Sequence, residues 1–312
     1  MTDEKKNKKI KTSHNMEKNL YINASELAIW IDRNPYENRL LQTLRIWRRF
    51  FKDNYENAKK EYFEIFQKNA FEHFDSKEKE KHLESKINLS IQKITNEETK
   101  NIQNTKETLE KHDSIFKKIL EESKQNGIEL NETDIKTLEQ SVQKNLKTNF
   151  GIQKESPSLD WYEQTFKKKL IRNPSLSKKK WIEVDDWNIY IQGKFDGMEE
   201  DLQTIIEIKN RMRGCFKILK PYEQVQVDAY HYIFNVPNVH LIECWRKKDD
   251  KCDYHLLTSK QNQDRWIKIQ EDFLEWFITF KNMLENKNRD SVRYQVFQNL
   301  SEDQELTWSK LN

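Results

Sequence analysis

Asp196, Glu207 and Lys209 are the residues of this chain whose types and spacing could do chemistry. Asp196 lies in Gly193-Lys-Phe-Asp-Gly197, and Glu207 and Lys209 lie in the apolar, β-branched run Ile205-Ile-Glu-Ile-Lys209. In a strand, side chains at i and i+2 share a face, so Glu207 and Lys209 point one way while Ile206 and Ile208 pack the other. If the run Trp187 to Lys194 is the antiparallel partner strand, Asp196 comes to rest beside Glu207. Two carboxylates can hold Mg²⁺, which lowers the pKa of a bound water and screens a phosphate. A lysine beside them can orient or deprotonate that water. Together these parts suffice to hydrolyse a phosphodiester.

The same residues also admit a plain reading, a surface ion pair between Glu207 and Lys209 near a turn aspartate. Three features of context favour chemistry. The acids fall on or beside an apolar strand rather than a polar helix. Gly193 and Gly197 flank Asp196, as a close backbone approach requires. Gln224 and Gln226 follow on a helix that starts after Pro221.

The elements that must position these residues are legible in outline. Ala24 to Ile31 reads as a short helix ended near Asn34-Pro35. Asn38 to Phe51 reads as an amphipathic helix. Ser158 to Leu170, Glu223 to Phe234 and Gln263 to Leu284 read as further helices, the last with a broad aromatic face. Trp181 to Val184, Trp187 to Lys194, Leu202 to Lys209, His240 to Arg246 and Tyr254 to Thr258 read as strands. The order predicts an α/β domain with a mixed central sheet flanked by helices. Residues 52 to 146 interrupt it. That block is rich in Lys, Glu, Asn and Gln, has one glycine and no proline, and keeps helical spacing at Tyr55, Ala58, Tyr62, Ile65 and Phe66 and again at Ile135, Leu138, Val142 and Leu146. Between about 76 and 130 its apolar positions thin out, as in a long charged hairpin or a partly disordered segment. The expected organisation is a basic, disordered tail over 1 to 20, a main domain over 21 to 51 and 147 to 312, and a helical insertion over 52 to 146.

Composition bounds the function classes. Of 312 residues, 34% are charged and 35% hydrophobic, yet nine Trp, eleven Tyr and sixteen Phe supply the area for one good core. A net charge of +3 does not by itself announce a nucleic-acid binder, so local clusters carry that question. Lys and Arg gather at Arg45, Arg48 and Arg49, at Lys167 to Lys169, at Lys178 to Lys180 and over 209 to 220; each could track a phosphate backbone or be a solvated surface. Three cysteines without C-x-x-C spacing fit a reducing compartment and speak against a zinc or disulfide framework. No apolar run is long enough to span a membrane, and the polar amino terminus has no secretory h-region, so an intracellular, non-secreted protein is expected.

Four segments in order carry a resemblance. Ile22-Asn-Ala-Ser-Glu26, Gly151-Ile-Gln-Lys-Glu155, Phe195-Asp-Gly197 with Glu207-Ile-Lys209, and Tyr222-Glu-Gln-Val-Gln226 with Tyr230 resemble the motifs of the lambda-exonuclease or YqaJ-type viral recombinase family, a branch of the PD-(D/E)xK nucleases. The match covers about 21 to 51 and 147 to 260. The resemblance implies a restriction-endonuclease-like core and a metal-dependent deoxyribonuclease acting as an exonuclease on duplex DNA ends. It also implies Mg²⁺ held by Asp196, Glu207 and the Ile208 carbonyl with Mn²⁺ as a substitute, Glu155 completing the acidic site, Lys209 activating water, and Gln224 orienting Lys209 or the nucleophile. Ser25 would contact the terminal phosphate, or simply cap its helix. Arg45, Arg49, Arg211, Arg213 and Gln226 are the further DNA-binding candidates. The insertion could thread DNA, bind a partner such as a strand-annealing protein or mediate self-assembly, and the resembled family includes trimers. The chain departs from the pattern at Phe195, where the family has proline, and at Lys18, where it has arginine; Asp186 matches a further acid but reads better as a turn residue. Lysine- and asparagine-rich composition suits a viral or phage genome. An endonuclease of the same chemistry, or a DNA-binding scaffold with a vestigial site, are the rival readings.

Overall fold

The computed structural model describes residues 17–37, 39–66, 112–125, 130–132, 134–136, 138–140, 142, 155–172, 174–211, 214–246 and 252–285. Residues 1 to 16, 67 to 111, Gly151 to Lys154 and Arg213 lie outside them.

In chain order, β1 is Lys18–Asn23, followed by a 3-10 turn at Ala24–Glu26 and the one-turn helix α1, Leu27–Trp30. Helices α2, Arg39–Phe50, and α3, Lys52–Phe66, come next. α4 is His112–Gln125 and α5 is Glu155–Phe166. Strands β2 to β6 are Leu170–Arg172, Ser177–Val184, Trp187–Gly193, Gly197–Glu199 and Thr204–Arg211. α6, Pro221–Phe234, precedes β7, Asn238–Arg246, and β8, Cys252–Lys260; α7, Gln263–Glu285, closes the described chain.

The strands form two mixed sheets flanked by helices, ordered β1-β4-β3 and β2-β5-β6-β7-β8. β1 runs parallel to β4, placing Asn23 opposite Gln192. β6 and β7 are parallel, with α6 as their crossover, and α5 covers the face of β6 that carries Ile206 and Ile208. The expected α/β class is what the structure shows, with one correction. Trp187–Gly193 does not pair with the Glu207 strand; it lies in the smaller sheet. The partner that delivers Asp196 is the three-residue strand β5, through Gly197↔Ile206 and Met198↔Ile205.

Local chemistry explains the main helices. Pro221 opens α6, where its missing N–H costs nothing, and Asn235 ends it in the left-handed region at φ 53°. Asn262 Oδ1 accepts the Arg265 N–H at 2.9 Å and so caps α7. The aromatic face of α7 packs Phe273 and Phe277 against Trp30, Trp181 and Trp187.

Two boundaries shift from the sequence reading. Lys18, Asn19 and Leu20, assigned to the tail, open β1, and Leu20 is buried. Tyr55 and Ala58 of α3 join the main core, with Trp47 edge-on to Tyr55 at 5.8 Å. A second small core in the insertion gathers Ile115, Ile119, Leu138 and Val142.

Candidate active site

Close approach, rather than a positive φ, explains both glycines around Asp196. A Cβ on Gly193 would stand 3.0 Å from Cε1 of Tyr230, and one on Gly197 would stand 2.9 Å from Cδ2 of Leu159. Those contacts bring α6 and α5 against the segment that carries Asp196. Glu155 lies one turn before Leu159, on the face of α5 that leans toward it. Phe195, at the family's proline position, is buried against Phe234 at 5.0 Å.

Asp196 continues the β5 ladder with its side chain. Its backbone N–H donates to Ile206 O at 3.2 Å, and its Oδ2 accepts the Ile208 N–H at 2.7 Å. A strand residue turns its N–H and C=O to the same edge, so the Ile208 carbonyl faces the edge Asp196 occupies, beyond the last β5 pair. Glu207 and Lys209 rise from the opposite face to Ile206 and Ile208, as the alternation predicts. Lys209 Nζ donates to Glu207 Oε1 at 2.9 Å and to Gln226 Oε1 at 3.0 Å. Gln226 Nε2 donates to the same Glu207 oxygen at 3.0 Å and to the Tyr230 hydroxyl at 2.9 Å. Tyr230 donates onward to Lys194 O at 3.0 Å.

Carboxylates outnumber the lysine that neutralises them. Burial, then the charge of Glu207, pushes Asp196 up to about 8 despite the Ile208 N–H. Glu155 is also raised, first by burial and then by Glu207, with Lys194 and Lys209 opposing. Burial pulls Lys209 down, but the charge and hydrogen bond of Glu207 prevail and its ammonium is held above the ordinary value. Burial keeps the Tyr230 phenol well above its ordinary range. A surplus of buried negative charge fits a divalent cation. The donors fit a hard one: Asp196, Glu207 and the Ile208 carbonyl are all oxygen. Among the described residues no group of three or more His, Cys, Asp or Glu is placed to hold a metal ion by itself.

A pH dependence follows. Asp196 binds its proton more tightly folded than unfolded, so its contribution is full below the ordinary carboxyl value and is lost as pH rises toward about 8. In chelator, the melting temperature should therefore fall between about pH 4 and pH 8, by roughly 4–8 °C for about 2 kcal/mol after discounting for solvent. Asp196→Asn should flatten that slope in a thermal-melt series; an unchanged slope would show that Asp196 is not the titrating group.

Other expected site residues are distributed unequally. Ser25 is exposed on the turn after Asn23, at the same end of the small sheet as Asp196. It is not the cap there: Asn23 and Glu26 hold the cap positions. Gln224 does not reach Lys209; its amide donates to Asp228 Oδ1 at 3.1 Å and Ser259 Oγ at 3.3 Å. Gln226, expected on DNA, occupies the position expected for Gln224. Helical spacing holds the signal that separates them: Gln226 and Tyr230 are four apart and share a face, whereas Gln224 is two residues off it. Arg211 is largely covered and held between Glu223 and Glu243 by ion pairs at 2.7 Å each. Arg45 bonds Gln42 at 3.0 Å and Arg49 lies 4.9 Å over the Phe50 ring. That helix abuts Trp187, at the far end of β4 from Asp196. Lys18 pairs with Asp186 at 2.7 Å at that same far end, and Asp186 is a turn residue.

The fold and site define an α/β protein with a two-acid, one-lysine centre on a strand edge. No family model matches the chain, and no curated protein matches it. Solved structures do. The chain is similar to the crystal structure of SSO0001 at 14% identity over 44% of this chain and 63% of that one, with a TM-score of 0.33, so it spans less than two thirds of that protein. It is similar to an alkaline exonuclease from Laribacter hongkongensis at 13% identity, 43% and 68% coverage and a TM-score of 0.34. It is also similar to a phage-related exonuclease from Haemophilus somnus 129PT at 12% identity, 50% and 73% coverage and a TM-score of 0.30.

Proposed function

We propose that the protein is a Mg²⁺-dependent deoxyribonuclease that hydrolyses phosphodiesters from duplex DNA ends, in viral or phage recombination or repair. The observation that carries this reading is the junction at β6: Asp196 bonded to the Ile208 N–H on one edge, and Lys209 clamped between Glu207 and Gln226 beside it. Asp196, Glu207 and the Ile208 carbonyl would hold the ion, with Glu155 bonding its waters. When bound, Mg²⁺ lowers the pKa of a water and screens phosphate charge. Glu207 favours the ammonium form of Lys209 in the metal-free site, so we assign Lys209 to orienting the water rather than deprotonating it. Two of its three N–H groups are taken by Glu207 and Gln226, and the third can orient the attacking water or meet a phosphate oxygen. Gln226 and Tyr230 fix the direction of that ammonium.

The test compares linear and covalently closed duplex DNA, with Mg²⁺ or EDTA, using wild type and Asp196→Asn. Digestion of linear DNA alone, lost in EDTA and in the variant, supports the proposal. Cutting of closed circles points to an endonuclease of the same chemistry. Binding without cutting of either points to a scaffold. Within the same assay, Gln226→Ala should lower the rate roughly 10- to 100-fold, as loss of an orienting partner does, while Gln224→Ala stays within about twofold of wild type.

A further inference from the structure

The small sheet has one face in the core and one in solvent, and the solvent face has the makings of a binding surface. Leu20, Ile22, Ile189 and Ile191 fill the core side. On the other side Tyr21 of β1 and Tyr190 of β4 are in register and stacked, with ring centroids 5.1 Å apart and planes 19° from parallel. Tyr21 remains 38% exposed. Lys178 of β3 reaches across the pair, its Nζ 5.5 Å from the Tyr21 ring centroid. Lys180 lies opposite Tyr190. One step along each strand toward Asp196, Gln192 Nε2 donates to Asn23 Oδ1 at 2.8 Å. Beyond this amide pair come exposed Ser25 and exposed Lys194, whose charge reaches Glu155. At the other end Glu17 bonds Asn188 and Glu183 pairs with Lys180. The face is therefore aromatic and cationic on the side of the carboxylates and acidic at its far end.

We propose that this face is a platform for single-stranded DNA, in which bases stack on Tyr21 and Tyr190 and Lys178 meets a phosphate, guiding a strand to or from the Asp196–Glu207 edge. Its identity as DNA rests on the nuclease reading. The chemistry is that of a stacking platform: an aromatic ring accepts any base by its π-face, and flanking lysines supply the charge the backbone needs. A duplex keeps its bases stacked inside, so an exposed ring pair selects unpaired strand. The acids at the far end repel phosphate and confine the strand to the half of the sheet that leads to the site.

The test is equilibrium binding of a short thymidine oligonucleotide in EDTA, where no cleavage occurs, so it is read independently of catalysis. Tyr21→Ala should weaken binding roughly 5- to 100-fold, and Tyr21→Phe should restore it, since the ring and not the hydroxyl stacks. An abasic oligonucleotide of the same length should bind wild type and Tyr21→Ala alike. Lys178→Gln should lower the slope of log affinity against log salt by about 1 without changing the preference for bases over abasic sites. Wild-type affinity in Tyr21→Ala, or an equal loss on the abasic strand, would overturn the platform. A ring-dependent preference for RNA of the same sequence would overturn the choice of DNA. Ring-dependent binding together with inert wild-type enzyme would instead sink the proposed activity and leave the platform standing.

Discussion

Lys209→Ala should slow cleavage of linear duplex DNA by roughly 10²- to 10⁴-fold, the range set by losing a positioned proton donor or a charge aimed at the transition state. The variant should still bind DNA in EDTA, because Glu207 and Gln226 take two of the three N–H groups of Lys209 and leave at most one for a phosphate. The same change leaves Glu207 near Asp196 and Glu155 without its neutralising partner. Folding in chelator should then weaken at neutral pH, and Mg²⁺ should recover part of the loss, so a melting curve in each condition accompanies the rate. Glu207→Gln separates the two effects: it should also lose cleavage, yet it removes a repulsive charge and should not destabilise the metal-free protein as Lys209→Ala does. A Lys209→Ala variant that cuts at the wild-type rate would remove the junction at β6 as the catalytic centre.

Arg211→Ala should cost about 3–5 kcal/mol of stability, the range for breaking a buried ion pair by deleting one partner, and so lower the melting temperature by roughly 6–20 °C. Glu243 is fully buried in the middle of β7. It accepts from Arg211 Nε at 2.7 Å, Phe216 N at 3.0 Å and Lys217 N at 2.7 Å. Arg211 also donates to buried Glu223 at 2.7 Å, and its guanidinium lies 4.2 Å from the Phe216 ring. One carboxylate thus ties two strands to the loop that leads into α6, the helix bearing Gln226 and Tyr230. DNA affinity measured well below the melting point should change little, and the salt slope should stay that of wild type. A reduced slope with an unchanged melting temperature would return Arg211 to the DNA-contacting role expected from the sequence.

Tests at both sites bear on why some residues were legible and others were not. Glu207, Lys209, Ile206 and Ile208 follow from the strand's period of two, a local property that neighbouring sequence enforces whatever the fold. Helix starts and stops at Pro221 and Asn235, and the aromatic face of α7, follow from similarly local rules. Lys178 to Lys180 announced a basic cluster, but only pairing with β4 turns Lys178 toward Tyr21 and Tyr190. Arg211 looks like a surface cation until Glu243, 32 residues away, is seen to hold it.

By itself, then, the amino-acid order determined which residue types could do the chemistry, which faces of strand and helix they occupy, and that an α/β domain must carry them. Tertiary structure alone decided the rest. It chose the three-residue β5 rather than β4 as the carrier of Asp196, because three residues give no periodic signal and their pairing with β6 is made across a turn and a short loop. It paired Lys18–Asn23 with a strand 169 residues away, a parallel contact that no local pattern encodes. It also chose Gln226 over Gln224, because a helix offers one face to a sheet, and the packing of Tyr230 over Gly193 fixes which face that is.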